Sequence, residues 1–220
     1  MSGIDCAGKG TQIDLLLQHF SELGIPSVTM WHRPGYSDFL IRLKDRVRKL
    51  KPGSLPSGPE SKERTKAFTK KRVQYSWTLM ALFDTLVAYA CRVRKLERSG
   101  KVVICDRYLI DSFLDLELRF PQLKVEKWAV SRMIKRLCPK PDAEFLLMIE
   151  WDEMLRRMEI KQEPFPDSVD IRRQRFDRYL ELSKCPQIIP INGDSTPAEI
   201  HEQILCHLRA TDAYLRITSA

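Results

Sequence analysis

The 220-residue sequence predicts an α/β protein in which a mostly parallel sheet lies between two layers of helices. Two observations support this three-layer class. Helical and strand-like segments alternate along the chain, and four short apolar segments are typical of buried strands. With 43% hydrophobic residues the chain can bury a substantial core. We therefore expect a single domain over residues 1–220.

Local hydrophobic patterns, together with the glycine and proline residues that end elements, predict the individual helices and strands. Buried strands are expected at residues 26–31, 101–105, 143–149 and 187–191, and helices at residues 9–23, 39–50, 65–98, 124–137, 152–160, 169–183 and 197–209. Gly24 and Gly100 each stand just before a strand, where a left-handed residue commonly ends a helix. The Pro/Gly/Ser-rich residues 51–61 are expected to form an exposed loop.

The segment at residues 3–11 carries the most informative pattern. Two glycines enclose four residues and precede a lysine, with Gly10 where serine or threonine is usual and Thr11 next. Such a loop turns backbone N–H groups toward phosphate oxygens, while Lys9 adds a mobile cation. The amphipathic helix that follows would present its positive end to the same anion.

The beginning of the sheet poses a difficulty. A phosphate loop should follow a central strand, yet only Met1 and Ser2 precede Gly3. We expect the first strand to be largely missing and the chain as written to be poorly stable. The expectation is that the true start lies upstream or that this chain is a segment of a longer polypeptide.

A second chemical motif ends the predicted strand at residues 101–105. Asp106, Arg107 and Tyr108 follow at its carboxyl end, where ligands bind in open α/β sheets. Asp106 is suited to holding Mg²⁺ through water, and Arg107 to clamping a phosphate. A surface ion pair at a strand end is the simpler alternative, and the nearby phosphate loop favours the functional interpretation.

Two further regions have the composition of phosphate-binding segments. Residues 156–178 are rich in arginine around a proline-bearing bend, which suggests a lid that closes over phosphates. Helix-surface ion pairs are the alternative for some of these arginines. In residues 31–36, Arg33 is placed to meet an acceptor phosphate, and Trp31 or Tyr36 to pack on a base. An ordinary Pro–Gly turn explains that segment equally well.

Charge limits the class of partner. The net charge of +8 favours anions, and residues 42–73 hold twelve Lys/Arg against three acids. Without an interleaved aromatic platform, this stretch is better explained as a solvated or substrate-steering face, so a nucleic-acid partner is not expected. The apolar run at residues 79–90 is too short to cross a membrane. Six scattered cysteines indicate reduced thiols and a cytoplasmic location.

Taken in order, these motifs resemble the thymidylate kinase family, within the nucleoside monophosphate kinases of the P-loop fold. The segment Gly3-Ile4-Asp5…Gly8-Lys9-Gly10-Thr11-Gln12 is similar to that family's phosphate loop, and Asp106-Arg107-Tyr108 to its Asp-Arg-Tyr/His motif. Pro141-Asp142 before an apolar strand, the arginine-rich lid, Arg175 to Tyr179, and Ile191-Asn192-Gly193 also fall in family order. The resemblance covers nearly the whole chain.

The resemblance implies ATP- and Mg²⁺-dependent phosphorylation of a small nucleotide acceptor, with dTMP as the default. The ATP-binding residues it implies are Gly3, Asp5, Cys6, Ala7, Gly8, Lys9, Gly10 and Thr11. The catalytic residues it implies are Lys9, Asp106, Arg107, Arg157 and Arg172, the last two as alternative lid arginines because Cys6 stands where some members carry a loop arginine. The acceptor-binding residues it implies are Asp5, Arg33, Tyr36, Phe83, Arg107 and Tyr108, within an insertion over residues 33–75. Asp5 and Asp106 would bind Mg²⁺ through water.

Departures from the family pattern leave the acceptor open. The family's Phe-x-x-x-Arg would read thymine, but Val87 stands four residues after Phe83, and the Ala-Tyr-Gln that usually follows the Asp-Arg-Tyr motif is absent. Two alternatives therefore remain: a kinase of the same fold with another small-molecule acceptor, and a non-catalytic nucleotide- or nucleic-acid-binding protein. A homodimer is one of the assemblies the sequence allows.

Overall fold

The computed structural model describes residues 1–37, 40–42, 45–46, 49, 66–161 and 168–219. The predicted loop at residues 51–61 lies outside the described residues. So do parts of the predicted helix at residues 39–50 and of the lid, and most of both the basic stretch at residues 42–73 and the acceptor-binding insertion.

Five parallel strands form the described sheet. They are β1 (Ser2–Gly3), β2 (Ser27–Trp31), β3 (Val102–Asp106), β4 (Phe145–Met148) and β5 (Ile189–Asn192). Strand β2 pairs with β3, and β4 pairs with both β1 and β5, in every case in parallel. The four strands predicted from apolar segments are thus confirmed, each with its boundary moved by no more than two residues.

The first residue of the chain joins the two groups of strands. The Met1 amino group donates to the Cys105 carbonyl at 2.7 Å, and the Arg107 N–H donates to the Met1 carbonyl at 2.9 Å. This is the hydrogen-bond pattern of a parallel pair, so the strands lie in the order β2-β3-β1-β4-β5. The first strand, as expected, is very short, but it occupies the centre of the sheet.

Gly3 allows β1 to lie close to β4. Its φ of +140° is rarely adopted by residues with a side chain, and a Cβ built there would stand 2.2 Å from the Leu147 carbonyl oxygen. The chain therefore enters the phosphate loop at a position that only glycine fits.

The helices agree with the expectations in most places. They are α1 (Lys9–Glu22), α2 (Lys71–Leu86), α3 (Arg94–Arg98), α4 (Leu109–Arg119), α5 (Ala129–Leu137), α6 (Trp151–Lys161), α7 (Val169–Leu182), α8 (Pro197–Arg209) and α9 (Asp212–Thr218). A π-helical segment, Val87–Val93, joins α2 to α3, so the long helix predicted at residues 65–98 is continuous from residue 71. The left-handed Lys124, at φ +46°, delays α5 beyond its predicted start.

Helices α4 and α9 were not predicted. In α4 the polar residues Asp111 and Ser112 are buried among the apolar ones, which obscures the helical period of hydrophobicity. Asp111 nevertheless carries a helix-start signal, because its carboxylate accepts a hydrogen bond from the Tyr108 N–H at 2.9 Å. The helix therefore begins directly after the Asp-Arg-Tyr motif.

The buried side chains form two apolar clusters, one around β1, β4 and β5 and one around α2, α4 and α5. The first includes Ile4, Leu146, Leu147 and Ile204; the second includes Leu82, Tyr89, Leu116 and Ile134. Together they hold the carboxyl ends of the strands in fixed relation to one another. Within the described parts of the chain, no helix has the length and apolar character needed to span a bilayer.

Candidate active site

A cleft of about 610 Å³ opens at the carboxyl ends of the central strands. Among the described residues, its lining has six basic side chains against three acidic ones. The lining residues are Asp5, Cys6, Gly8, Lys9, Gly10, Thr11, Trp31, Arg33, Asp106, Arg107, Asp115, Arg157, Met158, Lys161 and Arg175. The excess of positive charge in a partly enclosed space favours polyanionic ligands.

The phosphate loop leads directly into α1. Gly8 is the N-cap of this helix at φ +90°, and Cys6 is also left-handed at φ +60°. Alternation of left- and right-handed residues turns successive N–H groups to one side, which makes an anion-binding concavity at the helix N-terminus. The sequence prediction of a phosphate-loop conformation is thus matched by the backbone.

Lys9 folds back over the loop. Its ammonium donates to the Gly3 carbonyl at 2.9 Å and to the Ile4 carbonyl at 2.6 Å. Burial and, to a lesser extent, the neighbouring Arg107 lower the pKa of Lys9 to about 8, against the opposing effect of Asp5. The ammonium therefore sits where an added phosphate would stabilise its charge.

Arg107 lies between the loop and α4. Its guanidinium bonds the Asp5 carboxylate at 3.0 Å and approaches Asp111 at 3.8 Å. Burial opposes the charge on Arg107, but these carboxylates outweigh it and raise the pKa. Burial would likewise raise the pKa of Asp5, yet Lys9, Arg107 and Arg175 together lower it. Both groups are therefore ionised in the cleft at neutral pH.

The Arg107 backbone is held in an unfavourable conformation. Its φ of +74° lies in the left-handed region, which is uncommon for a residue with a long side chain. Two contacts hold it there: its N–H donates to Met1, and its carbonyl accepts from the Tyr89 hydroxyl at 3.2 Å. Strain of this kind is often found at functional sites, where the surroundings fix the side-chain direction.

Asp106 differs from the other two acids of the cleft. It is half-buried, and within the described residues its carboxylate makes no hydrogen bond or ion pair, whereas Asp5 pairs with Arg107 and Asp115 with Arg175. The described part of the chain contains no group of three His, Cys, Asp or Glu that would hold a metal by protein ligands alone. A cation at Asp106 would therefore keep most of its ligands as water or substrate oxygens.

The structure distinguishes the two lid arginines. Arg157 lines the cleft, and its guanidinium donates to the carbonyls of Cys6 and Gly193 at 3.3 Å each and to Glu153 at 2.6 Å. Arg172 does not line the cleft. Other arginines of the region form the helix-surface ion pairs considered from the sequence: Arg156 with Glu153, Arg173 with Asp177, and Arg178 with Glu117 and Glu181.

Arg33 stands on the wall of the cleft formed by β2 and β3. It follows β2, lies over the Tyr36 ring, and approaches the Asp115 carboxylate at 3.4 Å. The buried carboxylate of Asp84 holds this turn by accepting from the Gly35 N–H at 3.1 Å. The segment is therefore a turn, as the simpler interpretation had it, and it also brings Arg33 and Trp31 to the cleft.

Three of the predicted acceptor-binding residues are not among those that line the cleft. Phe83 is 56% exposed, Tyr36 is half-buried beside Arg33, and Tyr108 is buried. The Tyr108 ring packs on Tyr89, and its hydroxyl donates to the Pro139 carbonyl at 2.6 Å. In this structure Tyr108 is a core residue, and its ring packs inside the protein directly after Asp106 and Arg107.

The sequence did not lead us to assign an individual site role to several residues that line the cleft. They are Asp115, Met158, Lys161 and Arg175. Asp115 lies four residues after Asp111, so recognition of α4 would have placed both on one helix face. Arg175 was one of many arginines in its region, and nothing in the sequence marked it as the buried one.

The arrangement defines a class of protein. The sheet has the strand order β2-β3-β1-β4-β5, a phosphate loop follows the central strand β1, and an Asp-Arg pair stands at the end of the neighbouring strand β3. These features are those of the P-loop nucleoside monophosphate kinases. The comparison with known proteins is more specific. The profile of the family described as thymidylate kinase matches residues 1–204, and the chain belongs to this family.

Archaeal relatives extend over most of the chain. A protein of Pyrococcus abyssi is 27% identical and one of Pyrococcus horikoshii 28% identical, in each case over 93% of this chain and 92% of the relative. A protein of Thermococcus gammatolerans is 26% identical over the same shares of both chains. All three are described as probable thymidylate kinase.

Proposed function

We propose that this protein transfers the γ-phosphoryl group of ATP to dTMP, producing dTDP and ADP. The observation that carries the proposal is the position of Arg107, which is bonded to Asp5 of the phosphate loop in a cleft that carries Arg33 on its other side. An arginine at this place can contact both the donor and the acceptor phosphate. Family membership and the names of the relatives support dTMP as the acceptor nucleotide.

The phosphate loop is the donor side of the proposed site. Its N–H groups and the Lys9 ammonium would bind the β- and γ-phosphates of ATP, in place of the carbonyl contacts that Lys9 makes in the structure. Arg157, held against the Cys6 carbonyl, is the side chain that would neutralise charge on the transferring group. Glu153 and Gly193 keep its guanidinium facing the loop.

The wall formed by β2 and β3 is the acceptor side. Arg33 and Arg107 would orient the acceptor phosphate for in-line attack on the γ-phosphorus. No general base is needed, since a phosphate monoester, with a second pKa of about 6, is already dianionic at neutral pH. Catalysis then depends on positioning and charge neutralisation, as is general for phosphoryl transfer.

The cleft residues fit a magnesium ion. Asp106 offers an oxygen ligand with no competing contact among the described residues, and Asp5 lines the same cleft. Mg²⁺ commonly uses one or two carboxylates and keeps its remaining positions for water and phosphate oxygens. When bound, it would neutralise charge on the phosphates. The protein's part is to hold Asp106 at the end of β3. A cytoplasmic location and a homodimeric state stay predictions.

A coupled assay with ATP, Mg²⁺ and a panel of monophosphates tests the proposal. We expect turnover of dTMP in preference to dUMP, UMP, CMP, AMP and GMP, and near-complete loss of activity in Lys9→Ala. Preference for another monophosphate would leave the assignment as a kinase in place but change the proposed acceptor. If no acceptor is turned over and Lys9→Ala leaves nucleotide binding unchanged, the kinase assignment is wrong.

A further inference from the structure

We propose that Asp115 is a positioning residue that holds Arg33 and Arg175 together as a two-arginine site for the acceptor phosphate. This inference rests on the proposed function and adds two residues to its acceptor side. The site is defined by Asp115 at its centre with Arg33 and Arg175 on either side, and it is called the acceptor clamp below.

Contacts in the structure define the clamp. One carboxylate oxygen of Asp115 lies 2.5 Å from an Arg175 terminal nitrogen, and the other lies 3.4 Å from Arg33 Nε. The three residues come from different elements: Arg33 follows β2, Asp115 lies in α4 and Arg175 in α7. All three line the same cleft. A single carboxylate therefore links three separate parts of the chain at one wall of the cleft.

The position of the clamp assigns it to the acceptor. The phosphate loop follows the central strand, and Arg157 with Gly193 lies on the side of β4 and β5. Arg33 lies on the opposite side, beyond β3. In-line transfer requires the leaving and the attacking phosphate oxygens to lie on opposite sides of the γ-phosphorus. If the phosphate loop binds the donor, the acceptor clamp is therefore on the side where the acceptor phosphate would bind.

The charge of Asp115 is needed to keep the arginines together. The Arg175 side chain is only 8% exposed and Asp115 only 13%, so water screens their interaction weakly. Two guanidinium groups repel each other, and a shared carboxylate offsets that repulsion before the phosphate arrives. Each arginine has five N–H donors, more than the two oxygens of one carboxylate can accept in a single ion pair.

Helix α4 offers a matched comparison. Glu117, two residues after Asp115, also pairs with an arginine of α7, since its carboxylate lies 3.1 Å from Arg178. That pair is half-exposed and does not line the cleft. Removing its charge tests the loss of an ion pair between the same two helices without touching the clamp.

Steady-state kinetics of Asp115→Asn, Asp115→Glu and Glu117→Gln test the inference. For Asp115→Asn we expect KM for dTMP to rise about tenfold, the effect of losing a positioned charge-assisted contact, while KM for ATP changes less than about twofold. Asp115→Glu keeps the charge and is expected to recover part of the dTMP affinity. Glu117→Gln is expected to match the wild type for both substrates.

Binding without turnover provides an independent measurement. We expect dTMP alone to raise the melting temperature of the wild type and of Glu117→Gln, and to raise that of Asp115→Asn much less at the same concentration. The inference is overturned if Asp115→Asn leaves KM for dTMP unchanged, or lowers it because the carboxylate competes with phosphate for the arginines. It is also overturned if both substrates are affected equally, which indicates a purely structural role. Failure of the wild type to turn over or bind any monophosphate would instead overturn the proposed function.

Discussion

The Tyr179 hydroxyl donates a 2.6 Å hydrogen bond to the carboxylate of Asp111, and both side chains are at most 1% exposed. The same carboxylate accepts from Ser2 Oγ at 2.6 Å and from the Tyr108 N–H. It therefore ties α7 and the two-residue strand β1 to the start of α4, directly beside Arg107. Burial raises the pKa of Tyr179 well above 10, so the phenol keeps its proton and stays a donor at neutral pH.

Tyr179→Phe should weaken this connection. The change keeps the ring but leaves the buried Asp111 carboxylate short of one donor, which costs about 1–3 kcal/mol of unfolding free energy. Urea unfolding followed by circular dichroism would measure the loss. Tyr214→Phe is the control, since the Tyr214 hydroxyl hydrogen-bonds His19 at a partly buried site that does not involve Asp111. Equal destabilisation by the two variants would contradict the special role of Asp111.

Arg157→Ala should separate the two lid arginines. Because Arg157 reaches the loop carbonyl of Cys6 and Arg172 does not line the cleft, only the former is placed to stabilise transfer. We expect kcat to fall about 10³-fold in Arg157→Ala, as for other arginines that neutralise a transferring phosphoryl group, and only a few-fold in Arg172→Ala. Single-turnover kinetics would check this. A larger loss in Arg172→Ala would show that the lid rearranges on binding.

The pKa of Lys9 predicts an alkaline limit. In the free enzyme it is lowered from 10.5 to about 8, chiefly by burial, so the ammonium loses its proton as pH rises through 8. Since only the charged form attracts phosphate, kcat/KM for ATP should fall above about pH 8. At saturating ATP the bound phosphates raise this pKa again, and kcat should stay level to higher pH. The same shift makes the Lys9 contribution to the unfolding free energy increase with pH between about 8 and 10.5, because the unfolded chain then holds more protons.

The control for the pH profile is Lys9→Arg, which stays charged throughout. We expect its kcat/KM for ATP to be lower overall but without the decline near pH 8. An unchanged alkaline decline in this variant would assign the titration to another group.

Filling the space next to β1 should stabilise the protein. A cavity of about 270 Å³ is lined by Met1, by residues of β3 and the start of β4 such as Ile104 and Phe145, and by Phe20 of α1. Three β-forming apolar residues engineered before Met1 would continue β1 into this space and bury apolar surface. We expect a gain of about 1–2 kcal/mol, or a few degrees in melting temperature. A Gly-Ser-Gly extension is the control, and an equal melting temperature for the two extended variants would contradict the prediction.

Much of the fold was predictable because its signals are local. Glycine placement and apolar runs located four strands within two residues, and the phosphate-loop pattern located α1. Helix α4 was not predictable in this way, since its buried face carries Asp111 and Ser112, whose partners come from residues far away in the chain. Phe83 was assigned to the acceptor on family pattern alone, while burial places Asp84 and Thr85 inward and Phe83 outward.

The sequence by itself predicted the residues of the proposed chemistry: a loop with Lys9 for phosphates, and Asp106 with Arg107 at the end of a strand. These are determined locally, because glycine geometry and residue type fix what a short segment can bind. Only the tertiary structure decided which arginine of the lid region faces the loop, and that Asp115 meets both Arg33 and Arg175. Those relations depend on the angles at which α4, α6 and α7 pack against the sheet. Packing is set by the whole core, so no local pattern contains it.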